Sequence, residues 1–375
     1  RWGLIMAVFT TIAKNTDHFE DKVYQGNGSS QALTGLSFSP DIWWLKARDG
    51  NTPWFAQNST MGIGKNLFYG SSENNAEETT TIITSRDSGG LTLTNHSWIN
   101  GSATGYIGTF LKAGNASTST NSNGSITSSV QANDTAGISI VTWTGTASAG
   151  TIGHGLTTAP DCIWIKNRND VQHWRSYWHG GNRASQTGFM NETKSVDLWD
   201  TSAHQTSTNF WNDTKPTASV FSVGSEDGTN KNTKDMIAYC FSNRNGFMRS
   251  GTYQGNGNVH GPFIFTGFQP QAIIIHRHDA SGESWSYKSQ INIFTSSDGA
   301  ASTSGGATHG NEIEQNNKMD ATTTESNQDH MCFFSNGFAP TTNDNKSNGE
   351  GNHYVYIAFG KIPMVGTNDI LATAF

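Results

Sequence analysis

Two histidines stand where they could bind a metal ion. The segment HRHD sets His276 and His278 two positions apart, so that on a strand both would point to one face, with Asp279 beside them. Imidazole and carboxylate groups are common metal ligands. Two related segments of the chain carry lysine and arginine at the same positions, which indicates that any polar cation is accepted there. The sequence therefore predicts no metal site and no cofactor.

A second segment, QHWRSYWHGGN, combines aromatic rings with polar side chains. Rings that are apolar on their faces and polar at one end are enriched at binding surfaces. The favoured interpretation of this segment is a plain surface loop, and a contact site for host-surface glycan is the alternative. The candidate residues for such a contact are His173, Trp178, His179 and Asn182.

The pentapeptide YQGNG occurs twice, at residues 24–28 and 253–257. A dinucleotide fingerprint needs a third glycine and a following helix. Gln31 and His260 stand where that glycine would be, and no helix is predicted after either copy. Asn-Gly fits a tight hairpin turn instead, because both residues tolerate a positive φ angle. We predict a hairpin turn at each copy and no nucleotide site.

Carboxylates are sparse and lie in turn-like settings such as SEDGTN and GNEIEQ. A polysaccharide depolymerase would need two of them about 5–10 Å apart. The G-x-S-x-G elbow of one large class of serine hydrolases is missing from the chain. We predict no catalytic residue and a protein that is not an enzyme. A depolymerase is kept as the least favoured alternative, since one copy of a repeat could have diverged to hold a site.

These segments belong to an internal repeat. The stretch FSPDIWWLKARD at residues 38–49 returns as TAPDCIWIKNRN at 158–169 and as FQPQAIIIHRHD at 268–279. Each copy has an aromatic residue 16 or 17 positions before its proline and a tryptophan 14 or 15 positions after it. The prolines are Pro40, Pro160 and Pro270, and the tryptophans are Trp54, Trp174 and Trp285. Landmarks that recur three times in one order indicate three related units.

The pattern of each unit is typical of β-structure. Short apolar runs such as IWWLKAR change into alternation, and turn clusters recur about every 8–12 residues. No stretch combines a long 3.6-residue period with helix caps. About seven or eight strands a unit would fit two packed sheets. We predict an all-β chain of three tandem related β-sandwich units of jelly-roll or lectin-like type.

The repeat sets the predicted boundaries. They are an N-terminal docking arm at 1–20, repeat 1 at 21–114, a linker rich in Ser, Thr and Asn at 115–136, repeat 2 at 137–250 and repeat 3 at 251–375. A long surface loop is the alternative for the linker. We expect the three repeated tryptophans to fill the matching core position of each unit, because a residue copied into three divergent units is more often packed than exposed. Sugar stacking is the alternative role for them.

Three cysteines, Cys162, Cys240 and Cys332, stand in apolar runs without C-x-x-C spacing. An odd number without that spacing argues against both a disulfide framework and a zinc site. We predict buried thiols in a protein that is made in a reducing cytoplasm.

Only 14% of the 375 residues are charged, and the net charge is −7. Nucleic-acid binders usually show a basic face, so we predict no nucleic-acid partner. No apolar run reaches the roughly 18 residues of a membrane span, so we predict no membrane insertion. The chain begins RWGLIM. We expect Met6 to be the natural start, with residues 1–5 as upstream translation, and the alternative is a piece processed from a longer chain.

Three segments carry a family resemblance. The N-terminal MAVFTTIAKNTDHFEDKVYQGNG, the motif F-x-P-D-x-x-W-x-K-x-R and the closing YVYIAFGK resemble a family of phage virion proteins that is common in marine and environmental phages. The resemblance covers all three units, of which the third departs most. It implies a tail-fibre, minor-tail or other structural protein that contains a repeated domain of unknown function, and it supplies no catalytic residues.

We therefore expect a non-enzymatic virion structural protein, part of a tail fibre, of the tail or of the head decoration, which is assembled in the host cytoplasm. The expected partners are other virion proteins and copies of itself, with a trimer as the natural number. Residues 2–13 would dock onto the virion or onto a neighbouring copy. The alternative function is a receptor-binding adhesin that grips host glycan through the four candidate residues.

Overall fold

The chain is all-β, with 46% of it in strands and 5% in helices. The computed structural model describes residues 9–48, 52, 54–69, 76–114, 117–180, 188–283, 285–289, 315–318, 326–327 and 331–365. The predicted all-β class is confirmed. No helix among these residues is long and apolar enough to cross a membrane.

A first group of strands covers residues 19–111. It comprises β1 (Phe19–Gln25), β2 (Gln31–Leu33), β3 (Ile42–Ala47), β4 (Trp54–Asn58), β5 (Lys65–Tyr69), β6 (Glu78–Thr79), β7 (Ile83–Asp87), β8 (Gly90–Leu93) and β9 (Gly105–Leu111), with a short helix α1 (Ser97–Asn100). The large sheet has the order β1-β9-β3-β4-β5-β6, and a small sheet has the order β2-β8-β7.

A second group covers residues 119–241. It comprises β10 (Ser119–Asn121), β11 (Ser128–Asn133), β12 (Ile138–Thr144), β13 (Gly150–Gly153), β14 (Cys162–Asn167), β15 (Trp174–Trp178), β16 (Lys194–Leu198), β17 (Gln205–Thr206), β18 (Val220–Val223) and β19 (Asp235–Phe241), with helices α2 (Thr208–Trp211) and α3 (Asp227–Asn230). Its large sheet runs β10-β11-β12-β19-β14-β15-β16-β17, and β13 pairs with β18.

A third group covers residues 248–363. It comprises β20 (Met248–Gln254), β21 (Ile264–Phe265), β22 (Phe268–Arg277), β23 (Ser286–Ser289), β24 (Gln315–Lys318), β25 (Ser326–Asn327), β26 (Met331–Phe334), β27 (Gly337–Pro340) and β28 (His353–Pro363). The large sheet runs β20-β28-β22-β23-β24-β25, and the small sheet runs β21-β27-β26.

The large sheets share one strand order. In each group the first long strand pairs with the last, the last pairs with the strand at the repeated proline, and the next strands follow in sequence. The second group adds β10 and β11 outside β12. Both extra strands lie within residues 115–136, so the linker prediction is wrong for them. Their backbone groups pair with the sheet. A segment rich in short polar side chains can form such pairs, because the pairing uses backbone N–H and carbonyl groups.

The central strands of each large sheet are buried on both faces along most of their length. One face packs against the small sheet of its own group, and the three cores formed in this way are separate. The other face contributes to a fourth core, which is shared by all three groups. Trp43 and Trp44 illustrate the alternation, since Trp43 lies in the core of its own group and Trp44 lies in the shared core.

The three repeated tryptophans are buried, as predicted: Trp54, Trp174 and Trp285 are at most 1% exposed. Their location differs from the prediction, because all three lie in the shared core and not inside separate units. Cys162 and Cys240 are fully buried, as expected, whereas Cys332 is half-buried, and none of the three forms a disulfide.

The YQGNG segments are not hairpin turns. Gly28 and Gly257 have positive φ angles of 66° and 64°, but the asparagine before each of them does not. The strands on either side, β1 and β2 or β20 and β21, belong to different sheets. The prediction failed because a turn of this composition serves equally to carry the chain from one sheet to the other.

A buried asparagine holds each of these two connections and the equivalent one between β12 and β13 in the second group. Asn100, Asn230 and Asn348 are all completely buried. Their side-chain oxygens accept the backbone N–H of Asn27, Thr146 and Asn256, at 2.9, 3.0 and 3.0 Å. Their amide groups donate to backbone carbonyls nearby, among them those of Thr94, Gly224 and Thr342. One amide thus satisfies buried backbone groups on both sides of the connection.

We expect Asn230→Ala to lower the free energy of unfolding by about 2–3 kcal/mol, because it leaves buried donors and acceptors without partners. Urea unfolding followed by circular dichroism measures the change. The matched control is Asn232→Ala, since Asn232 is exposed and its loss should leave the urea midpoint unchanged. Equal midpoints for the two variants would contradict the role of the buried amide.

Candidate functional site

A histidine and two aspartates converge at the edge of the second large sheet. His173 immediately precedes β15, Asp197 lies in β16, and Asp200 comes shortly after the end of β16. Trp174 of β15 pairs with Leu198 of β16. This pairing brings the histidine and the two aspartates together. His173 Nδ1 lies 3.3 Å from Asp200 Oδ2 and 3.8 Å from Asp197 Oδ2. One ligand atom from each lies within 4.8 Å of the others. These three residues are called the His–Asp cluster below.

Arg175 connects the cluster to a third carboxylate. Its guanidinium hydrogen-bonds to Asp197 Oδ1, and its Nη2 lies 2.9 Å from Glu226 Oε1. The same group sits 5.1 Å from the ring centre of Phe210. Gln205 Nε2 donates to Asp197 Oδ2 at 2.9 Å. Burial raises the pKa of Asp197 above its ordinary value, although the charge of Arg175 opposes that shift.

Three carboxylates, one guanidinium and one imidazole meet at this point. Asp197 and Glu226 bind Arg175, and Asp200 lies beside His173. A nitrogen and two carboxylate oxygens are a donor set that a divalent transition metal accepts. The residues that could hold such an ion are therefore His173, Asp197 and Asp200. Such an ion would compete with the hydrogen bond from Gln205 to Asp197 Oδ2.

The sugar-contact prediction is wrong for Trp178. Its side chain is completely buried, with its ring 6.4 Å from that of Trp164 and 6.0 Å from that of Trp285. Its indole N–H donates to Ser176 Oγ at 2.8 Å. A ring that is enclosed in the shared core has no face to offer to a sugar.

The other predicted contact residues are separated. Residues 173 and 179 flank opposite ends of β15, a distance of about 20 Å along an extended chain. The backbone N–H of His179 donates to the carbonyl of Asp161 at 2.8 Å. Asn182 lies outside the described residues. The structure thus brings His173 into a cluster with acidic residues that the sequence did not indicate, and it does not bring His173, Trp178 and His179 together.

The HRHD residues do not converge on one point. His276 stacks against Trp285, with ring centres 4.4 Å apart and planes at 7°. His278 Nδ1 instead lies 3.2 Å from His204 Nδ1, in the second group. Asp279 binds elsewhere, since its two oxygens bind Arg277 and His353.

One comparison decides the family. A family model described as a domain of unknown function (DUF7483) matches residues 14–363, nearly the whole chain. The chain belongs to the DUF7483 family. No curated protein and no solved structure matches it.

The sequence held one signal for the His–Asp cluster of this DUF7483 chain. Asp197 stands in a strand, where an acidic residue is costly unless it is paired, and Arg175 lies directly opposite it across two neighbouring strands. Opposite charges that face each other across a ladder stabilise a sheet. The pairing of β15 with β16 is needed to see this, and residue spacing alone does not supply it.

The buried histidine His276 makes the stability of this DUF7483 chain depend on pH. Burial lowers its pKa from 6.5 to about 3. Below pH 6.5 the unfolded chain gains a proton that the folded chain does not, so stability should fall with falling pH by about 1.4 kcal/mol per pH unit until about pH 3. We expect His276→Gln to remove that part of the slope, because glutamine binds no proton.

Urea unfolding at pH 7, 6 and 5 measures the slope. His260→Gln is the matched control, since His260 is exposed and should leave the slope as it is. Equal slopes for the parent and for His276→Gln would contradict the assignment.

Proposed function

We propose that this chain is a non-enzymatic structural protein of a phage virion, built from three related β-sandwich units that close around one shared core. The observation that supports the proposal is that core. Strands of all three groups bury their second face in the shared core. Trp44 of the first group, Trp164 of the second and Trp285 of the third all lie there. A chain that buries its sheets on both faces is built for stiffness, because few side chains are left to rearrange around a ligand.

The contacts between groups support a ring of equivalent units. The backbone N–H of Glu77 in the first group donates to the carbonyl of Arg168 in the second at 2.7 Å. One step further along the chain, His204 in the second group donates to His278 in the third, also at 2.7 Å. Residues at matching places in the repeat thus make the same bond between successive groups, as the units of a cyclic oligomer do.

Side chains at these matching places also meet across the junctions between groups, but the type of interaction differs from one junction to the next. Arg168 and Glu77 form an ion pair at 2.6 Å. In the next junction His278 and His204 take these places, with their Nδ1 atoms 3.2 Å apart. Asn58 Nδ2 donates to Tyr239 OH at 2.8 Å and adds a buried bond between the first and second groups. Hydrogen-bonded junctions of this kind favour one rigid body over three tethered domains.

The first and third groups are also joined. Asp21 Oδ1 accepts hydrogen bonds from Thr109 Oγ1 at 2.8 Å and from Tyr287 OH at 2.6 Å, and Asp21 Oδ2 accepts one from Ser289 Oγ at 2.6 Å. Tyr287 and Ser289 belong to the third group. Contacts between first and second, second and third, and first and third groups support a closed arrangement.

The proposed partners are other virion proteins and copies of this chain, with a trimer as the expected number, and assembly takes place in the host cytoplasm. The low proportion of charged residues and the many Asn, Ser and Thr side chains suit contact surfaces that rely on neutral hydrogen bonds. A receptor-binding role is not proposed, because Trp178, its central candidate, is buried.

The test is the composition of purified particles of a phage that encodes this chain. We expect mass spectrometry to find the chain in the particles at a fixed ratio to the major capsid protein, and immunogold labelling to find it at one location. The purified chain should leave the viscosity of host capsular polysaccharide unchanged. A chain that is found only in the lysate supernatant, or a loss of viscosity, would overturn the proposal.

A further inference from the structure

An irregular segment of the second group lies against the third group. Residues 201–204 lie between β16 and β17, belong to no helix or strand and are half-buried. At one end, the backbone carbonyl of Thr201 accepts the N–H of Gly282 at 2.7 Å. At the other end, the N–H of His204 donates to the carbonyl of His278, also at 2.7 Å. Residues 201–204 are called the strap below, because hydrogen bonds at both ends hold it to the third group.

The strap contacts two buried histidines. His276 and His278 are completely buried and lie on the same face of β22, since they are two positions apart. The carbonyl oxygen of Ser202 lies 3.4 Å from His276 Nε2. His204 Nδ1 lies 3.2 Å from His278 Nδ1. Both rings would therefore gain access to water if the strap left the third group.

Neither ring has room for a second proton while the strap is in place. His204 Nδ1 carries a proton, because it lies 2.7 Å from the carbonyl oxygen of His278 and donates to it. His278 Nδ1 faces that same N–H and can only accept, so a proton on it would set donor against donor. His276 donates through Nε2 to Ser202, and its Nδ1 is buried without a partner in the described part of the chain.

The other charged groups around the two rings do not supply the missing acceptor. Asp279 acts on both rings, but its two oxygens bind Arg277 and His353. His353 itself lies on the neighbouring strand β28 and adds another imidazole. From β16, the ammonium group of Lys194 acts on His204 and opposes a positive charge there. The surroundings of the pair thus favour neutral imidazoles.

Burial sets the protonation of the two rings. The face of Trp285, on which His276 stacks, would attract an imidazolium, yet burial lowers the pKa of His276 from 6.5 to about 3. Burial also lowers the pKa of His278 well below 6.5, and the neighbouring His204 adds to that shift. In water either ring would titrate near its ordinary pKa of about 6.5. Below that pH, a state with the strap released binds protons that the closed state does not.

The junction between the first and second groups serves as an internal comparison. There the N–H of Glu77 donates to the carbonyl of Arg168 at 2.7 Å, as His204 does to His278. Arg168 stands where the third group has His278, and it forms an ion pair with Glu77 at 2.6 Å. Lys166 stands where the third group has His276. The same backbone bond is thus made without histidine at either position.

We propose that acid releases the strap: below about pH 6, protonation of His276 and His278 opens the junction between the second and third groups, while the junction between the first and second groups stays closed. Each histidine that takes up a proton makes the opening about tenfold more favourable per pH unit. This inference does not rest on the proposed virion role.

Amide-resolved hydrogen exchange at pH 7 and pH 5 tests the proposal, with rates corrected for the intrinsic effect of pH. We expect the protection of the His204 and Gly282 amides to fall at least about 25-fold, which is the amount for one histidine with an ordinary pKa in the released state. The Glu77 amide should change less than about threefold, because no histidine lies at its junction. A return to pH 7 should restore the protection.

A double variant removes the protons that the proposal invokes. His276→Gln with His278→Gln should leave the protection of the strap nearly equal at pH 7 and pH 5, because glutamine binds no proton. His260→Gln is the matched control, since His260 is exposed, and it should keep the response of the parent. If the urea midpoint shows that the double variant does not fold, His204→Glu, His276→Gln, His278→Arg takes its place. It carries the ion pair of the first junction and should also lose the response.

Three results would overturn the proposal. The first is equal protection of the His204 and Gly282 amides at pH 7 and pH 5 in the parent. The second is an equal fall at Glu77, which would mean that acid loosens the whole molecule. The third is a fall that persists in the folded variants without His276 and His278, which would assign the response to other groups, such as His353.

Discussion

Trp164→Ala should lower the free energy of unfolding by about 3–5 kcal/mol. The side chain is completely buried at the centre of the shared core. Its ring lies 5.5 Å from Trp44 in the first group and 5.4 Å from Trp199 in the second. Trp199 in turn lies 5.3 Å from Trp285 in the third group. Removal of the indole leaves a cavity at the point where these contacts meet, and the surrounding sheets are too stiff to fill it.

The loss of stability in Trp164→Ala should affect all three groups of strands. If they share one core, hydrogen exchange should accelerate in β9, β19 and β28 together, although only β19 belongs to the group that carries the substitution. Urea unfolding measures the total loss. Trp98→Ala is the matched control, since Trp98 is only half-buried, and we expect it to cost less than half as much. Faster exchange confined to the second group would indicate three independent cores and contradict the interpretation.

The residues around Trp164 illustrate what the sequence allowed us to predict. Alternation in IWWLKAR puts Trp44 on one face of a strand and Trp43 and Leu45 on the other, and in the structure Trp44 lies in the shared core while Trp43 and Leu45 lie in the core of their own group. A strand that faces solvent on one side would carry polar residues there, whereas β3 and β14 are buried at every position. This double burial is a sign of a second packing partner. Its identity depends on contacts between groups far apart in sequence, which a repeat pattern does not specify.

The His–Asp cluster illustrates the other limit. The sequence indicated His173, but it grouped that residue with neighbours along the chain, such as Trp178. On a strand, neighbours point to opposite faces and residues five apart lie far from each other. The true neighbours, Asp197 and Asp200, come from the adjacent strand and its end. Spacing along one strand predicts which face a residue occupies, and only strand pairing tells which residues it meets.

Arg175→Met should be about as costly as the loss of Trp164, at about 3–5 kcal/mol at neutral pH. The reason is electrostatic. The substitution leaves Asp197, which is 1% exposed, without the guanidinium that neutralises it. Methionine also fails to replace the bond to Glu226 Oε1 at 2.9 Å. Lysine in place of Arg175 should recover only part of the loss, because an ammonium group does not make the same set of hydrogen bonds.

The dependence on pH distinguishes a lost charge partner from a lost packing contact. Burial already raises the pKa of Asp197, and Arg175 opposes that rise, so its removal should raise the pKa further. In the folded variant Asp197 then binds a proton at a higher pH than in the unfolded chain, so the destabilisation that comes from this carboxylate should lessen as the pH falls towards the ordinary aspartate range. The difference in stability between parent and variant should therefore shrink from pH 7 to pH 5.

A double substitution completes the test. Arg175→Met with Asp197→Asn removes both charges of the pair and should be more stable than Arg175→Met alone, because no buried carboxylate is left without a partner. Lys231→Met is the matched control, since Lys231 pairs with Asp227 at the surface, and it should leave the urea midpoint unchanged. If the double variant were as unstable as Arg175→Met, the cost would lie in the packing of Arg175 against Phe210, and the charge of Asp197 would not be its source.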